Sequence, residues 1–221
     1  MKPIDYTLYV ITDRAWLRGV PLADAVAQAI EGGASLVQIR EKHVPTEEYI
    51  LRAREIKAVC GRYGVPLIVN DSVEVAQAAG AGVHLGADDG DIAEARRILG
   101  PDAIIGATAK TIAQAQAAER AGADYLGAGA VFGSTTKADA KPMAIAQFSE
   151  ICKSVSIPVV AIGGVSADNI EEFFRRGYLG AGLGSNIMPK EAVKAKDWKA
   201  CAAYVAELVK RANAGRAAYK G

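Results

Sequence analysis

Residues 21–42 read PLADAVAQAIEGGASLVQIREK, and this stretch contains one complete helix-to-strand unit. The part up to Glu31 carries apolar side chains at the spacing of an amphipathic helix. Gly32 and Gly33 follow, and glycine is the usual residue where a helix ends because it accepts the left-handed backbone of a C-cap. The apolar run at 36–39 then has the length and composition of a buried strand, and polar residues come directly after it.

The same unit recurs along the whole chain. Short apolar runs alternate with Ala-rich helical segments, and they lie at residues 8–11, 36–39, 67–69, 82–85, 104–106, 125–128, 159–162 and 179–183. This alternation is typical of parallel βαβ units in an α/β protein. Eight such units predict a single (β/α)8 TIM barrel. An open doubly wound sheet is the alternative, although it usually has fewer units.

No linker-like change in composition divides the 221 residues. We therefore expect one barrel domain over residues 1–221, with a flexible C-terminal tail at about 213–221. The apolar fraction of 51% is enough for one sizeable core without disulfide or metal support.

Charge and cysteine content narrow the classes of partner. The 26 Lys and Arg residues nearly balance the 25 Asp and Glu residues, so no basic footprint for nucleic acid or for an anionic membrane is present. Three widely spaced cysteines predict reduced thiols, and no apolar run approaches the roughly 20 residues of a membrane span. We expect a cytoplasmic protein that binds phosphorylated small molecules and binds neither nucleic acid nor membrane. A homodimer is an open option for its assembly.

Polar residues follow the predicted strands at the end where barrel enzymes place their sites. Gln38 and Arg40 lie two residues apart on a strand and therefore share a face. Two long polar groups inside a barrel need partners, and an anionic ligand would supply them, with Lys42 adding a second positive charge. The alternative is an internal ion-pair network with neighbouring acidic residues.

Two carboxylates, Asp71 and Asp89, follow the third and fourth predicted strands. Carboxylate oxygens at neighbouring strand ends are suited to Mg²⁺, which usually also keeps waters and phosphate oxygens. The alternative is that they cap helices: residues 71–74 resemble a capping box, and Asp89 or Asp91 precedes the next helix.

The seventh predicted strand is followed by Gly163-Gly164, and the eighth by Gly184-Ser185. Loops at these positions commonly bind phosphate in TIM barrels, with N–H groups at a following helix start as donors. Ordinary turn glycines are the alternative. The stretch 133–142 has the composition of a mobile loop that closes over a ligand, or of a plain solvated connection.

Histidine chemistry is not indicated. His84 is more typical of a hydrogen-bonded core residue than of a catalyst, and no Ser-His-Asp or Cys-His arrangement is evident.

Taken together, these motifs resemble the thiamine phosphate synthase family over nearly the whole chain. The resemblance depends on the order and spacing of Val37-Gln-Ile-Arg-Glu-Lys42, Val69-Asn-Asp71, Gly82-Val-His-Leu-Gly86 with Asp88-Asp89, Ala123-Asp-Tyr-Leu-Gly127, Ser134-Thr-Thr-Lys137 and Val160-Ala-Ile-Gly-Gly164. The resemblance implies a transferase of thiamine biosynthesis. Such an enzyme joins a hydroxymethylpyrimidine diphosphate to a thiazole phosphate, or to its carboxylated form, and releases pyrophosphate.

The resemblance also implies roles for individual residues. The pyrimidine diphosphate would be held by Gln38, Arg40, Lys42, Asn70, Thr108 and Lys137. The thiazole phosphate would be held by Ser134, Thr135, Thr136, Gly164, Gly184 and Ser185. Asp71 and Asp89 would ligate Mg²⁺, and Arg40, Lys42 and Lys137 would stabilise the leaving group electrostatically.

The sequence departs from the family pattern at a few positions. Thr108-Ala109-Lys110 stands where the family often has Ser-Ala-His, and Gly184 replaces an apolar residue. Two alternative functions stay open on the same barrel. One is a thiazole tautomerase-like isomerase, whose catalytic histidine would fall near Lys110, and the other is a non-catalytic regulator that binds thiazole phosphate.

Overall fold

In a computed structural model, which describes residues 4–17, 19–132 and 142–220, eight parallel strands pair in chain order and the last strand pairs with the first. The strands are β1 (Leu8–Ile11), β2 (Leu36–Ile39), β3 (Leu67–Asn70), β4 (Gly82–Leu85), β5 (Ile105–Thr108), β6 (Tyr125–Gly129), β7 (Val159–Ile162) and β8 (Gly180–Leu183). The predicted TIM barrel is confirmed. The open-sheet alternative is wrong because β1 and β8 are neighbours, with Tyr9 opposite Gly182.

Helices alternate with the strands. They are α1 (Arg14–Leu17), α2 (Leu22–Glu31), α3 (Thr46–Tyr63), α4 (Val73–Ala79), α5 (Ile92–Leu99), α6 (Ile112–Arg120), α7 (Ile145–Lys153), α8 (Ile170–Arg175), α9 (Lys190–Ala195) and α10 (Trp198–Ala217). The glycine stop signals act as predicted. Gly80, for example, ends α4 in the left-handed conformation at φ 61°.

Apolar side chains form two separate layers. The larger layer lies between the strands and the helices, and it includes the outward-pointing Val37 and Ile39 of β2. The smaller layer fills the inside of the barrel and consists of Tyr6, Tyr9, Leu36, Ile68, Tyr125 and Val160. This division follows from the two-residue alternation of strand side chains.

Glycines in the strands make room for the large inner side chains. A Cβ on Gly106 of β5 would lie 2.2 Å from the ring of Tyr125, and a Cβ on Gly182 of β8 would lie 2.3 Å from Ile162. The ring of Tyr125 therefore occupies space inside the barrel that a side chain at position 106 would fill.

The C-terminal segment differs from the expected tail. Helix α10 continues to Ala217, and Gly215 is buried so tightly that a Cβ there would lie 2.1 Å from the carbonyl oxygen of Glu171. Arg216 donates a hydrogen bond from Nη2 to Thr7 Oγ1 at 2.7 Å. Residues 213–217 are thus part of the packed helical layer, because their small and amphipathic side chains fit against α8 and the start of β1.

Among the helices in the described ranges, none is both long enough and apolar enough to cross a membrane.

Candidate active site

A cavity of about 570 Å³ opens at the carboxyl ends of the strands. It brings together ten of the residues singled out from the sequence: Gln38, Arg40, Lys42, Asn70, Asp71, Asp89, Thr108, Gly164, Gly184 and Ser185. The other four, Ser134, Thr135, Thr136 and Lys137, lie outside the described residues. The site is built from the ends of six strands, so no single segment of the chain could form it.

Residues 38–42 alternate between the cavity and the helical layer. Gln38, Arg40 and Lys42 line the cavity. Glu41 points the other way, where its carboxylate accepts from Arg14 Nε at 2.7 Å and from Arg52 Nη1 at 2.5 Å. The two-residue period of the strand thus continues beyond its last residue and separates the cavity-facing cations from a structural carboxylate.

The two cavity cations of this segment have acidic neighbours. Arg40 Nη1 lies 3.7 Å from Asp13 Oδ2, and the Lys42 ammonium is hydrogen-bonded to Asp71 Oδ2. The ion-pair network considered from the sequence is therefore present. It lies at the cavity wall, however, where both cations also face the space a ligand would fill.

Asp71 and Asp89 do not cap helices. Ser72 caps α4, since its Oγ accepts from Val75 N at 3.2 Å, and Asp91 caps α5, since its Oδ1 accepts from Glu94 N at 2.8 Å. Asp71 instead adopts φ 68°, an uncommon backbone conformation for a residue other than glycine. Its carboxylate lies beside the cavity, as does that of Asp89.

The two aspartates interact with each other. Partial burial, the hydrogen bond that protonated Asp89 donates to Asp71 and the negative charge of Asp71 all raise the pKa of Asp89, while Gly86 N donates to Asp89 Oδ2 at 2.9 Å. A pair of carboxylates held together is the arrangement that a divalent cation relieves. No group of three or more His, Cys, Asp or Glu side chains within metal-binding distance occurs among the described residues. The donor set therefore fits Mg²⁺, which commonly takes one or two carboxylates and completes its shell with substrate oxygens.

The loops after β7 and β8 form the opposite wall. Gly163 and Gly164 have φ values of 89° and 70°, and a Cβ on Gly164 would lie 2.2 Å from the carbonyl oxygen of Phe132. Asn169 Nδ2 donates to the Gly164 carbonyl at 3.0 Å, and Asn186 Nδ2 donates to the Val165 carbonyl at 3.2 Å. These glycines are required by the backbone path, so they are more than ordinary turn residues.

Backbone donors are available on this wall. Among the described residues, nothing accepts a hydrogen bond from the N–H groups of Gly164 and Val165. Helix α8 begins only at Ile170 and α9 only at Lys190, so the N–H groups beside the cavity belong to the loops and not to a helix start. Phosphate binding by these loops stays a prediction.

His84 is a core histidine with both ring nitrogens bonded. Nδ1 lies 3.0 Å from the Tyr125 hydroxyl, and Nε2 lies 3.0 Å from Thr108 Oγ1. Its outer edge nevertheless contributes to the cavity wall.

Sequence reasoning missed two residues that shape the site. Lys110 lines the cavity, and within the described part of the chain its ammonium has no carboxylate partner. Its backbone is held on both sides, by Gln114 Oε1 at 2.8 Å and by Gln147 Nε2 at 2.8 Å. Tyr49 bridges two strand ends by donating to the Ile39 carbonyl at 2.8 Å and accepting from Asn70 N at 3.2 Å. A cation directly after β5 was the available signal for Lys110, whereas no local signal marks Tyr49.

The fold and the cavity define a class: a TIM-barrel enzyme whose site joins a cationic, carboxylate-bearing wall to a glycine-rich phosphate-type wall. Comparison with known proteins identifies the family. The family model described as thiamine monophosphate synthase matches residues 8–187, and the chain belongs to that family.

Individual relatives agree with this assignment. A thiamine-phosphate synthase of Caldanaerobacter subterraneus subsp. tengcongensis is 47% identical over 173 residues, which are 78% of this chain and 81% of that protein. One of Clostridium novyi is 44% identical over 86% of this chain and 95% of the relative. Among solved structures, thiamine phosphate pyrophosphorylase of Pyrococcus furiosus superposes with a TM-score of 0.82 at 37% identity, covering 95% of this chain and 96% of that one. The chain is therefore an enzyme of the transferase class.

Proposed function

We propose that this enzyme couples a hydroxymethylpyrimidine diphosphate to a thiazole phosphate, plain or carboxylated, to give thiamine phosphate and pyrophosphate, with the carboxylate of the carboxylated form leaving as carbon dioxide. One observation carries the proposal: a single cavity contains cations and paired carboxylates at β2–β5 and glycine-rich loops at β7 and β8. In a closed eight-stranded barrel, β7 and β8 face β3 and β4 across the axis. Two phosphorylated substrates can therefore be bound on opposite walls with their reacting atoms between them.

The reaction needs charge neutralisation more than proton transfer. The bond between the pyrimidine methylene carbon and the diphosphate oxygen breaks, and the thiazole nitrogen donates its electron pair to that carbon. Pyrophosphate leaves with the bonding electrons. Arg40, Lys42 and Lys110 stabilise the negative charge on the leaving oxygens, and Lys137 is assigned the same role by position in the family motif.

Magnesium is assigned to the two aspartates. Asp71 and Asp89 would hold the ion, and when bound it would add positive charge next to the diphosphate. The Lys42 ammonium, which contacts Asp71, helps to keep both carboxylates in place.

The β7 and β8 loops are assigned to the thiazole phosphate. Gly164, Gly184 and Ser185 line this wall, and the N–H groups of Gly164 and Val165 are suited to phosphate oxygens. Ser134, Thr135 and Thr136 are assigned to the same substrate by motif position alone.

No specific observation favours the two alternative functions. A tautomerase-like reaction would place a catalytic histidine near Lys110, where this chain has a lysine. A regulator that binds only thiazole phosphate does not need the cations and carboxylates of the β2–β5 wall. Cytoplasmic localisation and the homodimer stay predictions.

The decisive experiment measures pyrophosphate release and thiamine phosphate formation from the two purified substrates, with Mg²⁺ and with EDTA. The plain and carboxylated thiazole phosphates are tested in parallel. We expect both products in equal amounts, and only with Mg²⁺. Binding of substrates without any coupled product would favour the regulator, and rearrangement of the thiazole alone would favour the isomerase.

Variants then test the cationic wall. We expect Arg40→Ala and Lys110→Ala to reduce turnover or diphosphate affinity by about 10- to 150-fold, since a charged hydrogen-bond donor contributes about 1.5–3 kcal/mol. Their midpoints of thermal unfolding should change little. Lys153→Ala, which removes a cation from the end of α7, is the matched control and should retain full activity. A large loss of stability with unchanged turnover would return Arg40 to a structural role.

A further inference from the structure

Beneath the cavity floor, five polar side chains form a continuous series of hydrogen bonds across the barrel interior, which we call the relay. Gln38 Nε2 lies 2.5 Å from the Tyr9 hydroxyl, which lies 2.7 Å from the Tyr125 hydroxyl. The Tyr125 hydroxyl lies 3.0 Å from His84 Nδ1, and His84 Nε2 lies 3.0 Å from Thr108 Oγ1. The two ends of the relay, Gln38 and Thr108, line the cavity. The middle of the relay is closed to solvent, since Tyr9 and Tyr125 are both fully buried.

Each side chain in the middle of the relay can donate only one proton. Burial raises the pKa of Tyr9 and of Tyr125 above the ordinary range, so both phenols keep a single hydroxyl proton. A neutral imidazole likewise has one N–H and one acceptor nitrogen. Tyr9, Tyr125 and His84 each accept one hydrogen bond and donate one. All the hydrogen bonds must therefore run in the same direction along the relay.

Gln38 sets that direction. Its amide nitrogen faces Tyr9 and can only donate, so the Tyr9 proton must go to Tyr125. The Tyr125 proton must then go to His84 Nδ1, which places the histidine proton on Nε2. That proton is donated to Thr108 Oγ1, and the Thr108 hydroxyl proton is left to point into the cavity.

The carbonyl oxygen of the Gln38 amide is an acceptor that faces away from Tyr9. Gln38 is almost fully buried at 3% exposure, and none of the residues that the structure describes donates to its Oε1. A buried acceptor without a protein partner is suited to an N–H group of a ligand. The cavity thus presents an acceptor at Gln38 and a donor at Thr108.

We infer that Tyr9, Tyr125 and His84 are positioning residues that lock the amide of Gln38 and the hydroxyl of Thr108 into opposite hydrogen-bonding roles, and so select an amino-substituted pyrimidine over its oxo counterpart. An oxo group would present an acceptor to the Gln38 acceptor. Accommodating it requires the amide to turn over and every bond of the relay to reverse. The selectivity rests on the proposed function, whereas the direction of the relay does not.

The first test measures the tautomer of His84 by ¹⁵N NMR in the protein without substrates. The chain has only two histidines, and the other, His43, is exposed, so a His43→Gln variant assigns the signals. We expect neutral imidazole with the proton on Nε2. A proton on Nδ1, or an imidazolium at neutral pH, would overturn the relay whether or not the enzyme makes thiamine phosphate.

The second test measures kcat/KM for the aminopyrimidine diphosphate and for its oxo analogue. Tyr9→Phe removes one relay hydroxyl, and we expect the preference for the amino substrate to fall by about 3- to 10-fold. We also expect the His84 signals to become a mixture of tautomers. Tyr6→Phe is the matched control, because Tyr6 packs against Tyr125 at a ring separation of 5.1 Å in the same inner layer but lies outside the relay.

The outcomes separate cleanly. Equal loss of activity toward both substrates in Tyr9→Phe, with an unchanged tautomer, would mean that Tyr9 only fills space. If Tyr9→Phe does not fold, the tautomer of the natural protein still decides the direction of the relay. Failure of the wild-type protein to form any product would contradict the proposed function and leave the NMR result standing.

Discussion

Asp89 and Asp91 lie two residues apart and have different roles, because their carboxylates contact different groups. Asp91 accepts from the backbone of α5 and caps the helix, whereas Asp89, two residues earlier, faces Asp71 across the cavity wall. Partial burial, together with the close approach of Asp71, raises the pKa of Asp89, which means that ionised Asp89 destabilises the folded protein. A site that is unfavourable until its ligand binds is common where residues are selected for function.

Asp89→Asn tests this at the scale of one residue. The amide keeps an oxygen for the Gly86 N–H but removes the charge that repels Asp71. We expect the melting temperature of the ligand-free protein to rise by up to about 3 °C, since the gain is below about 1 kcal/mol. We also expect the Mg²⁺ concentration at half-maximal activity to increase about tenfold or more.

Asp91→Ala provides the comparison for that variant. Loss of the helix cap should lower the free energy of unfolding by about 1 kcal/mol and leave the Mg²⁺ titration unchanged. If Asp89→Asn behaved like Asp91→Ala, Asp89 would be a structural residue.

Strand β2 and the residues after it contribute side chains both to the cavity and to the helical layer. One face presents Gln38, Arg40 and Lys42 to the cavity, and the other places Glu41 against the helices. The Glu41 carboxylate is almost completely buried, with 1% of the side chain exposed, and both of its arginine partners are more accessible than it is. The ion pairs therefore hold the end of β2 to α1 and α3, which fixes the positions of the two cavity-facing cations.

Glu41→Ala should accordingly reduce stability strongly. Removal of the buried carboxylate breaks its hydrogen bonds to Arg14 and Arg52, and a hydrogen bond to a charged group contributes about 1.5–3 kcal/mol, so we expect a loss of about that size in urea unfolding. Glu94→Ala breaks a solvent-exposed pair with Arg97 on α5 and should leave the urea midpoint almost unchanged. Similar losses in the two variants would show that the Glu41 contacts do not support the strand end.

The two ends of the chain meet on the outside of the barrel. Arg216, near the end of α10, donates to Thr7 just before β1, and its guanidinium lies 5.0 Å from the centre of the Phe174 ring on α8. Helix α10 also packs along α8 and α2. The last helix thus closes the helical layer over the seam between β8 and β1.

Arg216→Ala tests this closure at the scale of the whole molecule. Loss of the hydrogen bond and of the cation–π contact should lower the free energy of unfolding by about 1–2 kcal/mol and the melting temperature by about 2–6 °C. Turnover at 25 °C should be unchanged, because the cavity lies at the strand ends. Lys210→Ala, on the exposed side of α10, should have almost no effect on stability. An unaltered melting temperature in Arg216→Ala would contradict the role of the final helix.

The sequence by itself determined the repeating unit, the number of strands, their parallel arrangement and the end of the barrel that carries the polar residues. These properties depend on periodicity and on turn residues, which are local. Only the tertiary structure decided that Asp71 and Asp89 meet while Ser72 and Asp91 cap helices, that α10 continues past residue 213, and that Tyr9 and Tyr125 connect Gln38 to Thr108. Residues 9 and 125 are far apart in the chain, and their hydroxyls meet only because the barrel closes and Gly106 on the neighbouring strand leaves space for the ring of Tyr125. Contacts of that kind depend on strand register and closure, which a local pattern does not encode.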